Sequence, residues 1–141
     1  MTLSEAMYAY LSSVLSVGDR VYPRILPKDA VLPAVTFQVI PAVGPLKVHS
    51  DAHDGTGPPD GSFYMRARVQ WDAWGDTYYD AEALAREMRH ALHGFRGAMG
   101  DLDPVVVHLD IDMDSYDQDV DIYRRILDGQ VSYNEHVAVG S

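Results

Sequence analysis

Carboxylates at alternate positions in the second half of the chain have the clearest potential for metal chemistry. Oxygen ligands at this spacing can wrap a calcium ion, as in the EF-hand loop Asp-x-Asp-x-Asp-Gly-x5-Glu. Ser115 stands where that loop needs glycine, Asp121 stands where a longer glutamate gives two oxygens, and a strand pattern precedes the run. We therefore interpret the run as an acidic turn between strands, with calcium binding as the alternative. The candidate ligands are Asp110, Asp112, Asp114 and Asp121.

A second group of possible ligands, His49, Asp51 and His53, lies in a segment rich in proline and glycine. Two imidazoles and a carboxylate suit Zn²⁺, but a loop of this composition gives them no fixed geometry. We interpret them as surface-loop residues and expect neither a metal nor a cofactor. The sequence contains no Gly-x-Ser-x-Gly elbow, phosphate-binding loop or dinucleotide fingerprint. We therefore predict that the protein is not an enzyme.

The composition indicates one globular domain spanning residues 1–141. Hydrophobic residues make up 47% of the 141 residues, which is enough for a single core. The formal net charge of −10 repels nucleic-acid phosphates, so we do not expect a DNA-binding surface. Cysteine is absent, which excludes disulfides and thiolate metal sites. We find neither an apolar run that could span a membrane nor a signal-peptide pattern, and we expect a cytoplasmic place of assembly.

Apolar periodicity and capping residues predict a first helix from Leu3 to Val17. Thr2 and Glu5 have the spacing of a capping box, and Gly18 provides the stop. Prolines punctuate residues 20–33, which indicates a short strand followed by an extended crossing.

Alternating β-forming residues predict two strands that flank a long loop. The first covers residues 35–40 and the second runs from Phe63 to Trp74. Residues 41–62 between them hold too few large apolar side chains to offset the conformational entropy lost on ordering. We therefore predict that they form the long tip of a hairpin. One face of the second strand is expected to pack on helices, and the other to face solvent or a partner. The helix-facing residues are Phe63, Met65, Ala67, Val69, Trp71 and Ala73.

The remaining pattern predicts an α+β fold, with a mostly antiparallel sheet and two helices packed on one face. Thr77 lies at the expected start of the second helix, and Gly94 follows its expected end. The predicted elements are a helix at 78–93, a strand at 105–111, an acidic turn at 112–121, a strand at 122–133 and a loose tail at 134–141.

Basic and aromatic residues beside the strands are candidates for an interface. Arginine suits ion pairs between subunits, so on an acidic protein we expect the arginines to pair with carboxylates of an adjacent copy. Trp74 and Tyr64 share the outward face of their strand and are further candidates. The full set of candidates is Tyr64, Arg66, Arg68, Trp74, Arg124, Arg125, His49 and His53.

Three segments in order carry a resemblance that covers nearly the whole chain. They are Arg20 to Pro33 with its Val21-Tyr22-Pro23 element, Arg66 to Trp74 running into a helix, and Tyr123 to Val131. In this order the chain resembles the small tail-completion, or tail-terminator, proteins of long-tailed bacteriophages and phage-like particles. The matching residues are mostly core and turn positions, so they support the fold more than any docking surface.

The resemblance implies a structural assembly protein of the virion tail or neck. Such a protein forms a ring, hexameric in related phages, that caps the tail tube and stops its growth. Its implied partners are further copies of itself, the tail tube protein and a head-completion protein, with DNA passing through the ring unbound. A head-to-tail interface closes into a ring when the rotation per subunit closes.

Two alternatives to a tail terminator stay open. One is another neck component of similar size, such as a head-closure or connector-adaptor protein. The other is a calcium-binding module that uses the acidic run.

Overall fold

A computed structural model describes residues 1–41, 62–118 and 121–136 of the chain. They form two helices and a six-stranded, mostly antiparallel sheet, which confirms the predicted α+β class. The elements are α1 (Leu3–Val14), β1 (Val21–Pro23), β2 (Ala34–Pro41), β3 (Ser62–Gly75), α2 (Tyr78–Leu92), β4 (Arg96–Met99), β5 (Leu102–Asp117) and β6 (Ile122–His136).

Helix α1 begins with the predicted capping box. The Thr2 hydroxyl accepts a hydrogen bond from the Glu5 N–H at 3.1 Å, and the Glu5 carboxylate accepts one from the Thr2 N–H at 2.9 Å. The predicted end at Val17 is wrong, because Leu15 already has extended dihedral angles. Leu15 and Val17 are nevertheless buried, so the apolar pattern continues through a turn that packs on the core.

Helix α2 lies beside α1 on the same side of the sheet. The Thr77 hydroxyl caps its start by accepting from the Asp80 N–H at 3.1 Å, as expected. Tyr10 of α1 donates its hydroxyl to the Ala91 carbonyl of α2 at 2.6 Å, which holds the two helices together. The buried stripe of α2 consists of Ala81, Leu84, Ala85, Met88 and Leu92.

The strands follow the spatial order β1-β2-β3-β6-β5-β4. The β1–β2 pair is parallel and the other pairs are antiparallel. Strand β3 pairs with β6 from Ser62↔His136 to Gly75↔Tyr123, so the longest ladder lies in the middle of the sheet. Strands β2 and β3 are also antiparallel neighbours. Residues 42–61 between them, where the long hairpin loop was predicted, lie outside the described residues.

The two faces of β3 differ as the alternation predicts. Ala67, Val69, Trp71 and Ala73 are buried under the helices, and the core continues into both neighbouring strands. We call this side of the sheet the helix face and the other side the open face. Further core residues include Leu3, Met7, Leu11, Val35, Phe37, Val105, Val107, Leu127 and Val131.

The predicted acidic turn at 112–121 is wrong. Strand β5 continues through Asp117, so only the few residues from position 118 to Asp121 separate it from β6. Aspartate is a poor strand former, but pairing with β6 provides backbone partners along this stretch. Strand β6 continues to His136, so residues 134–136 belong to the sheet rather than to the predicted tail.

A β-bulge at Asp110 interrupts the β5–β6 ladder. Leu109 lies opposite Gly129 and Ile111 lies opposite Asp128, so two steps along β5 match one step along β6. A Cβ atom at Gly129 would overlap the carbonyl oxygen of His108. Glycine therefore permits the close approach of the two backbones at the bulge.

Candidate interaction surface

The open face of the sheet carries a connected group of polar side chains. The indole Nε1 of Trp74 donates to the hydroxyl of Thr36 at 2.8 Å, which joins β3 to β2. The guanidinium of Arg124 lies 5.2 Å from the centre of the Trp74 ring, which joins β3 to β6. Trp74 is thus half-buried by its own neighbours. We call Thr36, Gln70, Asp72, Trp74 and Arg124 the open-face cluster.

Asp72 is the buried carboxylate of the open-face cluster. Burial raises the pKa of Asp72, and a hydrogen bond from Gln70, the charge of Arg124 and the Thr36 hydroxyl partly oppose this rise. The Gln70 amide donates to Asp72 at 3.1 Å, whereas Arg124 Nη1 lies 3.8 Å from the carboxylate. These contacts therefore only partly offset the hydration that the ionised carboxylate loses on burial.

Arg68 joins three strands on the open face. Its Nη2 lies 2.9 Å from Asp110 of β5, and its Nε lies 2.8 Å from Asp128 of β6. The bulge at Asp110 thus contributes a carboxylate to an arginine two strands away. Both of these carboxylates belong to the same chain, so Arg68 has partners within its own sheet, and its expected pairing with an adjacent copy stays a prediction.

Arg125 belongs to the helix face, where it lies between β5 and α2. Its Nε is 2.6 Å from Asp112 and 3.2 Å from Asp114, and its Nη1 is 3.8 Å from Glu82 of α2. Arg89 of α2 also contacts Asp112, at 2.8 Å. The pKa of Arg125 is raised chiefly by the hydrogen bond to Asp112. Arg125 thus has carboxylate partners within its own chain, and its expected pairing with another copy stays a prediction.

The calcium candidates have other partners in the structure. Asp110, Asp112 and Asp114 contact arginines, as described above, and Asp121 accepts a hydrogen bond from the Tyr116 hydroxyl at 2.5 Å. The described residues contain no cluster of three or more histidine or carboxylate side chains suited to a metal ion. The strand conformation of residues 110–117 also replaces the loop that a calcium site of this type requires.

The remaining sequence candidates are scattered. Arg66 is exposed on β3 and forms no ion pair with any residue that the structure describes. Tyr64 lies in β3, but its side chain is outside the described part of the chain. His49 and His53 also lie outside the described residues.

A cluster of tyrosines that the sequence did not predict lies where α2 begins. The rings of Tyr116 and Tyr123 are 4.6 Å apart, and Tyr78 makes edge contacts with Tyr123 at 6.3 Å and with Tyr79 at 5.8 Å. Tyr79 remains largely exposed. Tyrosine is enriched at protein interfaces. The adjacent pair Tyr78-Tyr79 was visible in the sequence, but the approach of Tyr116 depends on the unexpected length of β5.

The arrangement is suited to contacts between macromolecules. Arginine–carboxylate pairs, a cation over an aromatic ring and exposed tyrosines recur at protein interfaces. No helix among the described residues is long and apolar enough to cross a membrane.

Comparison with known proteins reveals a likeness in fold. The chain is similar to a chain in the virion of a native gene transfer agent (GTA) particle, with a TM-score of 0.60 and 15% sequence identity. The superposition covers 95% of this chain and 98% of that chain, so the likeness extends over nearly the whole of both. No family model matches the sequence, and no curated protein matches it significantly.

Proposed function

We propose that this chain is a structural component of a virion and that it acts as the tail terminator. The observation that carries the proposal is the fold likeness to a chain of a gene transfer agent virion, which spans 95% of this chain. The sequence supports it independently, because the ordered segments around Val21, Trp71 and Arg124 resemble tail-completion proteins. A fold hosts many functions, so the function also depends on the surfaces of the protein.

The surfaces favour assembly with other proteins over catalysis. The open-face cluster and the arginine pairs fix the strands of the sheet relative to one another, since Arg68 and Arg125 each contact carboxylates from neighbouring elements. Such a sheet presents its edges and its exposed tyrosines on a rigid frame. A rigid frame reduces the ordering cost of association, which suits a protein that functions by shape.

In the proposed role, several copies form a ring on the end of the finished tail tube. One surface of the ring matches the docking surface of a tube subunit, and the other lacks it, so no further tube subunit adds. The head-completion protein then binds this second surface. Sixfold symmetry is the expected order, assembly takes place in the host cytoplasm, and DNA passes through the ring. The net charge of −10 disfavours retention of that DNA.

A different position in the neck is the alternative, because the virion likeness fits a head-closure or connector-adaptor protein equally well. The two roles predict different binding partners. A terminator co-sediments with isolated tail tubes, whereas a head-closure protein co-sediments with DNA-filled heads. Arg86 is exposed on α2, so Arg86→Ala provides a control expected to bind as the natural protein does.

Electron microscopy of tails assembled with and without the protein tests the proposal. Tubes of uniform length with an added ring at one end are the expected result. Tubes of unchanged, variable length without an added ring would reject the terminator role. Binding to heads in the sedimentation assay would then favour the neck alternative.

A further inference from the structure

The outer edge of β5 is paired over only part of its length. Pairing with β4 ends at Val106, and the backbone of Val107 then bonds to Gly94 and Phe95 at 3.2 and 3.0 Å. From His108 to Asp117, no strand of the described residues lies along this edge. A row of unpaired N–H and C=O groups is a template for binding another chain.

A groove of about 490 Å³ opens beside this edge, between β5 and α2. Leu109 and Leu127 provide its apolar walls, and Arg89 and His93 lie on the helix side. Ile111 and Met113 are 43% and 52% exposed and lie opposite Asp128 and Ile126 of β6, so their side chains flank the same edge on its open-face side. The groove and the edge from His108 to Asp117 together form what we call the edge groove. It offers both backbone partners and room for apolar side chains.

An exposed apolar and basic segment lies at the other end of the sheet. Residues 24–33 connect β1 to β2, and Ile25 and Val31 within them are 73% and 65% exposed. Arg24 and Lys28 in the same segment are exposed and make no ion pair with any residue in the described ranges. We call this segment the basic connection. Because β1 is the first strand of the spatial order, the basic connection lies across the sheet from β5.

We infer that the edge groove of one copy binds the basic connection of the next copy, head to tail. This inference rests on the proposed ring and names the surfaces that close it. Ile25 or Val31 of one subunit enters the groove beside Leu109 of its neighbour, while Lys28 faces the acidic side of β5. Two different surfaces at opposite ends of one sheet generate the heterologous contact that a ring requires.

Charge favours this partner over a second β5 edge. The ion-pair network around the edge has more carboxylates than guanidinium groups among the described residues, with Asp110, Asp112, Asp114, Asp128 and Glu82 against Arg68, Arg89 and Arg125. Two β5 edges placed side by side would bring like charges together, which destabilises strand pairing. The basic connection has Arg24 and Lys28 against the single carboxylate of Asp29, so it brings a net positive charge to this edge.

Cysteine crosslinking tests the contact directly, because the natural chain has no cysteine. Val31→Cys and Met113→Cys variants are mixed, treated with a short bismaleimide and analysed both free in solution and on tail tubes. The expected product joins one Val31→Cys chain to one Met113→Cys chain. A double variant is expected to give a ladder of products. Ser13→Cys, on an exposed part of α1, mixed with Met113→Cys provides the control that stays uncrosslinked.

The outcomes separate the inference from the proposed function. Rings seen on tubes without the Val31–Met113 product would overturn the inference and leave the terminator role intact. Crosslinking of Met113→Cys with itself would also overturn it, because that product reports edge-to-edge pairing. The expected product without any capping of tubes would support the contact and reject the terminator role.

A substitution at the basic connection provides a second test. Ile25→Asp is expected to leave the melting temperature of the free protein unchanged, since the side chain is exposed, and to weaken self-association about tenfold or more. Val14→Asp removes another exposed apolar residue, on α1, and is expected to retain association. If both variants self-associated as strongly as the natural protein, the result would contradict the proposed contact.

Discussion

Arg125 Nε lies 2.6 Å from a carboxylate oxygen of Asp112, so that a pair of half-buried charges fixes β5 against β6 beneath α2. The two residues are diagonal neighbours, because Arg125 lies opposite Asp114 and Asp112 lies opposite Leu127. The same guanidinium reaches Glu82 of the helix. One side chain thus connects three elements, and its loss affects all three.

Arg125→Ala is expected to destabilise the fold by about 1–3 kcal/mol, because it leaves Asp112 and Asp114 close together without their main counter-charge. Urea denaturation monitored by circular dichroism measures the change. Arg86→Ala, on the exposed side of α2, is the matched control and is expected to change stability by less than about 0.5 kcal/mol. Equal effects of the two substitutions would show that the ion pairs of Arg125 contribute little.

Asp72→Asn is expected to raise the melting temperature at pH 7. Burial raises the pKa of Asp72 above its ordinary value of 3.8, so the folded state holds this proton more tightly than the unfolded state. The associated stability is complete below pH 3.8 and is lost as pH rises through the folded-state pKa. The increase in melting temperature caused by Asp72→Asn should therefore become smaller as the pH falls toward the folded-state pKa of Asp72.

Thermal unfolding at a series of pH values checks the Asp72 prediction. Asp76→Asn, at an exposed position before α2, is the control and is expected to leave the pH profile unchanged. A lower melting temperature of Asp72→Asn at pH 7 would mean that the attraction of Arg124 and the bond from Gln70 outweigh the cost of burial.

Thr36→Val is expected to destabilise the protein by about 1–3 kcal/mol, because it leaves the indole N–H of Trp74 without its acceptor on the open face. A double-mutant cycle with Trp74→Phe isolates this contact, since the phenylalanine has no N–H to satisfy. We expect the cost of Thr36→Val to fall markedly in the Trp74→Phe background. If the effects of the two substitutions were additive, the cost of Thr36→Val would come from the packing of the valine side chain and not from the lost hydrogen bond.

Gly129→Ala is expected to destabilise the protein by about 1–3 kcal/mol, which is the usual cost of adding atoms to a well-packed interior. The new Cβ would overlap the backbone of His108, so either the bulge at Asp110 or the strand separation must change. Gln130→Ala, an exposed neighbour on the same strand, is the control with little expected effect. NMR spectroscopy of the variant checks the effect on the bulge. An unchanged backbone chemical shift of Asp110 would contradict this account.

The sequence predicts the elements that have a clean local signal. Thr2 and Glu5 mark the start of α1, and the strict alternation from Met65 to Ala73 marks both the extent and the faces of β3. Helix α2 is equally clear, since its apolar stripe begins at Ala81, one turn after the capping residue Thr77. In each case the residues that decide the structure are near one another along the chain.

The elements that were mispredicted depend on distant partners. Asp112 and Asp114 have the composition of a turn, but arginines of β6 and α2 offset their charge and β6 pairs with their backbone. Strand β4 was missed because Gly97 and Gly100 have the composition of a turn as well. For the interface candidates, the sequence identifies Arg68 and Arg125 but not their carboxylate partners, since these depend on the register of β5 and on its bulge.

The central position of the β3–β6 ladder has a consequence for synthesis on the ribosome. Strand β3 can pair with β2 early, but its second partner consists of residues 122–136, which emerge after α2, β4 and β5. Until then, β3 and β5 each have an inward-facing edge without a neighbour. A nascent chain stalled before Ile122 therefore exposes strand edges that the finished sheet encloses, and these edges favour aggregation and recruit chaperones.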